Sequence, residues 1–119
     1  MIDLKIRTKQ FAVNCWKFCH KIPHSREYNA YVSQLLRSSS SVGANYRAAQ
    51  RAKSTADFIN KLKIVEEEAD ESLYFLELFQ EILDKDLKEV NVLFVEANEL
   101  LSIVVASITT ARRNQGKNQ

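Results

Sequence analysis

Eight apolar residues in the last third of the chain recur at alternating steps of three and four positions. The row consists of Leu87, Val90, Phe94, Ala97, Leu101, Val104, Ile108 and Ala111. Such steps keep side chains on one side of an α-helix, and a row this long is typical of a helix packed along its length in a bundle or coiled coil. The pattern therefore predicts a long C-terminal helix that needs partner helices.

Three further amphipathic helices are predicted before it. Apolar residues step by four, three and four through about residues 4–22, and Pro23 then breaks the pattern. Ser25 suits the N-cap of a second helix over about residues 26–51. Ser54, followed three positions later by Asp57, has the spacing of a capping box and predicts a third helix over about residues 55–83.

The connections between these helices are short, with breaks near Pro23, Lys53 and Lys85. Short connections make neighbouring helices antiparallel. Two glycines and one proline are too few for the many turns of a β-sandwich or barrel. We therefore predict an all-α, up-down-up-down antiparallel four-helix bundle that forms a single domain over residues 1–111. The polar residues 112–119 are expected to be a disordered tail.

The fourth helix also carries apolar residues outside its heptad row. They are Val92, Leu93, Val95, Leu100, Ile103 and Val105. The apolar surface is wider than a core-facing stripe needs, and the first helix is similarly wide. A second apolar face on a small protein predicts a protein–protein interface, so we expect a homo-oligomer. No uninterrupted apolar run approaches a membrane span and the N-terminus lacks a signal-like segment, so we expect no membrane and a cytoplasmic location.

Charge is divided unevenly along the chain. Residues 1–53 hold ten Lys/Arg against two acidic residues, a balance of +8, and residues 54–119 hold seven against thirteen, a balance of −6. The basic half can pair with the acidic half inside the bundle, or it can bind an anionic partner. The candidate nucleic-acid-binding residues are Arg37, Arg47, Arg51 and Lys53, of which Arg47 and Arg51 lie one helical turn apart.

We find no catalytic constellation. Cys15, Cys19, His20 and His24 have a spacing that a metal can use, but the two cysteines lie on apolar rows and fit a buried core better. The acidic residues between 66 and 71 lack the Glu-x-x-His of a di-iron bundle. No nucleophile elbow or Gly-rich phosphate loop occurs. The sequence therefore predicts no enzyme, no metal and no cofactor.

Two positions in the middle of the bundle raise specific expectations. Glu68 lies at the edge of the predicted core stripe of the third helix, where a carboxylate needs a partner. Arg37 or a serine of the second helix is the candidate partner of the Glu68 carboxylate. Gly43 and Ser39 belong to a small-residue face that predicts a close approach of a neighbouring helix.

Two segments resemble a known family. The first is R-S-x-x-S-V-x-x-N between Arg37 and Asn45. The second is S-x-x-D-F-x-x-x-L-x-I-V-x-E-E-A-x-E-S-x-Y-x-L-E-L between Ser54 and Leu78. Together they resemble the bacterial four-helix-bundle proteins encoded in intervening sequences of 23S ribosomal RNA genes, over nearly the whole chain. Many of those proteins have N-x-x-E-G where this chain has Asn45-Tyr46-Arg47-Ala48-Ala49.

The resemblance implies a helical subunit that assembles into a ring, commonly a pentamer, without enzymatic activity. It also implies nucleic-acid binding through a basic surface, and a related accessory protein of diversity-generating retroelements binds its reverse transcriptase. Our leading hypothesis is a non-catalytic oligomeric bundle that binds RNA or DNA without sequence preference. The rival hypothesis is a protein-interaction scaffold or accessory subunit. A third hypothesis, a metal-dependent enzyme, rests on the Cys/His cluster alone.

Overall fold

The computed structural model of the protein describes residues 3–85 and 88–117. It contains four helices, α1 (Leu4–Cys19), α2 (Arg26–Gln50), α3 (Thr55–Ile82) and α4 (Lys88–Lys117), and no strand within the described residues. The predicted all-α class is therefore confirmed.

The predicted caps begin the second and third helices. Ser25 Oγ accepts a hydrogen bond of 3.0 Å from the backbone N–H of Tyr28, and Ser54 Oγ accepts one of 3.1 Å from that of Asp57. The Asp57 carboxylate in turn accepts the backbone N–H of Lys53 at 3.1 Å, and this bond holds the pKa of Asp57 below its usual value. These short polar side chains satisfy N–H groups that have no partner inside the helix.

Two helix ends differ from the prediction. α1 ends at Cys19 rather than at residue 22. The backbone N–H groups of Lys21 and Ile22 bond to the carbonyls three residues earlier, those of Phe18 and Cys19, as in a tighter 3₁₀ turn. Pro23 then disfavours helical backbone at the residue before it. At the other end α4 continues to Lys117 as largely exposed helix, where we expected a disordered tail. No proline interrupts that segment, and helix formers such as Arg, Gln and Lys extend a helix that is already nucleated.

Consecutive helices pack side by side, and α1 also packs against α4. Along the α2–α3 pair, Tyr28 meets Ile82 and Ser38 meets Ser72, so these two helices are antiparallel. Along the α1–α4 pair, Lys21 meets Glu89 while Arg7 meets Glu96 and Glu99, so this pair is antiparallel too. The result is an up-down-up-down bundle, 54 Å long and about 22 Å across.

The register of α4 differs in part from the predicted row. Its buried residues are Val90, Leu93, Ala97, Leu100, Val104 and Ile108. Leu93 and Leu100 thus replace Phe94 and Leu101, which are half-buried at the edge of the core. Both rows are apolar, so periodicity alone did not distinguish them. Leu87 lies outside the described residues.

Gly43 marks the place where α2 comes close to α1. A Cβ added there would lie 3.3 Å from Thr8 Oγ1 and 3.4 Å from the Thr8 carbonyl carbon. Thr8 is fully buried, and backbone atoms cannot rotate away. We therefore expect Gly43→Leu to lower the free energy of unfolding by about 1–3 kcal/mol, measured as a lower urea midpoint.

Gly116→Leu is the control for this prediction. No described atom lies within 4 Å of a Cβ built at Gly116, so the same substitution there should leave the midpoint unchanged or raise it slightly. An unchanged midpoint for Gly43→Leu would show that α1 does not press on α2 at this position.

Candidate nucleic-acid interface

Arg37 is held at the α2–α3 contact. One guanidinium nitrogen lies 3.1 Å from the Glu68 carboxylate, and another is paired with Glu71. The Glu68 side chain is only 18% exposed, so this partner offsets the cost of removing its charge from water. The expected pairing of Glu68 with Arg37 is confirmed. Because Arg37 pairs with two carboxylates, its positive charge is largely neutralised within the bundle.

Buried serines lie beneath this ion pair. The hydroxyl oxygens of Ser38 and Ser72 are 2.9 Å apart, and Ser72 also lies 2.9 Å from the Glu68 carbonyl oxygen. Both side chains are fully buried. Ser38 therefore packs against α3 through Ser72, while Ser38, Ser39 and Ser41 bond to carbonyls of the preceding turn, as expected for small polar residues inside a helix.

Arg47 faces a different neighbour. It lines a groove of about 660 Å³ between α1 and α2 together with Lys5 and Lys9. Asp3 lines the groove as well, and its carboxylate caps α1 by accepting the backbone N–H of Lys5 at 3.0 Å. The rest of the lining is Ile6, Thr8, Ala12, Ser40, Gly43 and Ala44, mostly small side chains that leave the groove open. Within residues 3–85 and 88–117, these three cations form no ion pair. We call this feature the basic groove.

Arg51 and Lys53 lie just beyond the basic groove. Arg51 ends α2, where its backbone N–H bonds to the carbonyls of Ala48 and Ala49, and its side chain is exposed. Lys53 belongs to the α2–α3 connection and is exposed as well. α4 runs antiparallel to α3, so Arg112 and Arg113 near its C-terminus lie at this same end of the bundle. One end of the molecule is therefore rich in cations.

The structure thus brings together only part of the predicted set. Arg47, Arg51 and Lys53 lie toward one end of the bundle, whereas Arg37 lies along the α2–α3 contact. Lys5 and Lys9 join Arg47 although they are not among the predicted nucleic-acid-binding residues. Their four-residue spacing on α1 was the available signal, because it puts two lysines on one side of a helix.

Ion pairs inside the bundle account for part of the uneven charge. Arg7 on α1 contacts Glu96 and Glu99 on α4, each at 2.7 Å, and Lys21 contacts Glu89. The hydrogen bond from Lys21 lowers the pKa of Glu89. Among the described residues, Arg7, Lys21 and Arg37 of the first half thus have acidic partners in the second half, and the three cations of the basic groove have none.

An apolar face lies on the α1–α4 side. Ile6 is 62% exposed, Val92 66% and Val95 63%, and all three line a groove between these helices. Among the described residues, α4 is also the one helix that is long and apolar enough to cross a membrane by length and composition. This differs from the sequence-based expectation, which rested on the lack of an uninterrupted apolar run. The core helix of a soluble bundle passes the same test. Only 28% of the tested window of α4 is buried within a single chain, so much of it remains exposed.

The two cysteines belong to the core, as predicted. Burial raises the pKa of Cys15 to about 12 and that of Cys19 to about 11. His20 and His24 are exposed, and the His20 ring lies against Trp16 rather than against the thiols. Across the described residues, no group of three or more His, Cys, Asp or Glu side chains has the arrangement of a metal site.

These observations define a class: a small all-α bundle with a basic end, an exposed apolar face and a buried apolar core. The profile of the family described as 23S rRNA-intervening sequence protein matches residues 3–106, and the chain belongs to this family. The family resemblance of the two sequence segments is thereby confirmed.

A solved structure supports the same relationship. The chain is similar to a protein of unknown function from the S23 ribosomal protein family of Bacteroides thetaiotaomicron VPI-5482, whose crystal structure was determined at 1.70 Å. The TM-score is 0.81 and the sequence identity 31%, over 89% of this chain and 98% of the other. A comparison with curated proteins found no match.

Proposed function

We propose that this protein is a non-catalytic, cytoplasmic homo-oligomer that binds RNA without sequence preference. One observation carries the proposal: Arg47, Lys5 and Lys9 line a single open groove, and no described carboxylate forms an ion pair with them, although Asp3 also lines the groove and leaves it a net positive charge of two. Cations that have no partner in the bundle attract phosphates and release the counterions around them. Such contacts hold the nucleic-acid backbone and do not read its sequence.

Assembly would strengthen this binding. In a symmetric ring, with a pentamer favoured by the family resemblance, every subunit presents the same groove. Several weak phosphate contacts then act on one RNA molecule, and the overall affinity exceeds that of any single groove. Arg51 and Lys53 would extend the basic surface from each groove to the end of the bundle.

The rival function is a protein-interaction scaffold. The observation that favours it is the apolar α1–α4 face, where Ile6, Val92 and Val95 are exposed. If this face binds a different protein, the basic groove need not bind anything. The two functions differ in their response to salt, because phosphate contacts weaken steeply as salt rises.

A salt titration of RNA binding tests the proposal. Wild type and the double variant Arg47→Ala, Arg51→Ala are compared on a single-stranded RNA of mixed sequence. We expect the slope of log affinity against log salt to become shallower by about 0.7 for each phosphate that the variant no longer neutralises. Binding should weaken for every RNA sequence.

Arg26→Ala is the matched control. Arg26 lies at the opposite end of α2 and bonds to Glu27, so its removal should leave the slope unchanged. Equal slopes for wild type and the double variant would exclude Arg47 and Arg51 from phosphate binding. No binding by wild type at low salt would favour the scaffold.

A further inference from the structure

The basic groove continues past its cations to an exposed tryptophan. A second depression between α1 and α2 is lined by Ala12, Val13, Trp16, Leu36 and Ser40. Ala12 and Ser40 line the first depression as well, so the two form one continuous groove. Its start is lined by Lys5, Lys9 and Arg47, and its far end by apolar and aromatic side chains.

Trp16 is unusually exposed for a side chain of its size. It is 57% exposed, and the His20 ring packs against it with centroids 4.9 Å apart and an angle of 32° between the planes. The contact with His20 restrains the indole while leaving more than half of the residue open. A restrained, exposed aromatic ring is a surface on which a nucleic-acid base can stack.

The dimensions suit a short piece of one strand. Eleven residues separate Lys5 from Trp16, which corresponds to about 16 Å along the helix. A stacked strand rises about 3.4 Å per nucleotide, so the groove is long enough for about five nucleotides. Bases in a duplex are stacked on one another and cannot reach a side chain, whereas an unpaired base can.

We propose that this groove binds single-stranded nucleic acid, with phosphates at Lys5, Lys9 and Arg47 and a base stacked on Trp16. The proposal rests on the proposed function and narrows it from nucleic acid in general to unpaired strands. The cationic part of the groove supplies affinity, and the aromatic part supplies the preference for an unpaired base. Base stacking is tolerant of sequence, because every base has an aromatic face.

Tryptophan fluorescence tests this directly, because Trp16 is the only tryptophan in the chain. The probes are a ten-nucleotide uridine RNA, its deoxy equivalent, a ten-base-pair RNA duplex and poly-glutamate. We expect both single strands to quench the fluorescence and to bind several-fold more tightly than the duplex. Poly-glutamate should not quench, since it has charge without bases. If the RNA strand binds more tightly than its deoxy equivalent, the protein also contacts the 2′-hydroxyl. Equal affinities would show that the protein recognises phosphate and base alone.

The variant Trp16→Ala should weaken binding of a labelled single strand by about 5- to 150-fold, which corresponds to 1–3 kcal/mol for one stacked base. Binding of the duplex should change little, and Trp16→Phe should retain most of the affinity for a single strand. Tyr74→Ala is the matched control, because Tyr74 is also 57% exposed but lies on α3, outside the groove.

Several results would overturn the proposal. Equal affinity for strand and duplex, or binding of labelled RNA without quenching, would reject stacking on Trp16 and leave the proposed function intact. Absence of binding to any nucleic acid would reject both. A change in sedimentation of Trp16→Ala would place the indole in a subunit interface instead.

Discussion

Replacing Val95 by glutamate is expected to dissociate the proposed homo-oligomer into folded monomers. Val95 is 63% exposed in the single chain and lies beside Val92 and Ile6, which are equally open. If a second subunit covers this face, a carboxylate there must lose its water without gaining a partner. Arg7 is the cation that lines this groove, and Glu96 and Glu99 already pair with it, so a third carboxylate would compete with them for one guanidinium.

Sedimentation velocity at micromolar concentration measures this effect, and far-ultraviolet circular dichroism checks that the helices remain. Asn98→Glu is the control, because Asn98 is an exposed polar residue of the same helix. Val105→Glu asks whether a second apolar region of α4 also takes part, since ten residues of helix put Val105 about 80° around the axis from Val95.

Two outcomes would contradict the assembly prediction. Wild type could sediment as a monomer, or Val95→Glu could sediment as wild type does. A monomer that co-floats with lipid vesicles would assign the apolar face of α4 to a membrane surface rather than to a second subunit.

Alkaline pH is expected to destabilise the fold through its two buried thiols. Burial raises the pKa of Cys15 to about 12 and that of Cys19 to about 11, against 9.0 for an exposed thiol. The unfolded chain therefore releases its thiol protons at lower pH than the folded chain does. The stabilising difference is complete below pH 9 and is lost as the pH rises from there toward the folded values.

The expected loss of unfolding free energy at alkaline pH is large for a small domain. Above pH 9 each thiol lowers the free energy of unfolding by about 1.4 kcal/mol per pH unit, and below pH 9 it has little effect. The two thiols together should therefore lower it by about 3 kcal/mol between pH 8 and pH 10. Urea unfolding at a series of pH values measures it. At pH 8, both thiols should also resist alkylation until urea unfolds the chain.

The double variant Cys15→Ala, Cys19→Ala is the control for the pH effect. The two alanines create cavities and lower stability at every pH. The difference in the free energy of unfolding between pH 8 and pH 10 should nevertheless shrink, because alanine has no thiol to titrate. The same pH dependence in the variant would assign the alkaline loss to other groups. Tyr46 is one candidate, since burial raises its pKa as well.

Local patterns predicted much of the helical architecture. Pro23 marked the first break, and Ser25 and Ser54 marked the starts of α2 and α3 within a residue, because caps and proline act on their immediate neighbours. The partner of Glu68 was also predictable, since a carboxylate at the edge of a core stripe needs a cation and Arg37 is close by in an antiparallel pairing. The buried environment of Cys15 and Cys19 followed from the apolar rows that contain them.

The sequence by itself determined the number of helices, their order, their antiparallel directions and the family. These properties depend on periodicity, capping and short connections, which are interactions between residues close in the chain. Tertiary structure alone decided which of two apolar rows of α4 enters the core, because both rows are equally apolar and the choice depends on how α3 and α1 pack around it. It also decided which cations form ion pairs within the described residues: Arg37 meets two carboxylates across the α2–α3 contact, whereas Arg47 shares the α1–α2 groove with Lys5 and Lys9 and forms no ion pair there. A side chain's charge can be read from the sequence, but whether that charge is offset depends on residues that folding brings from another helix.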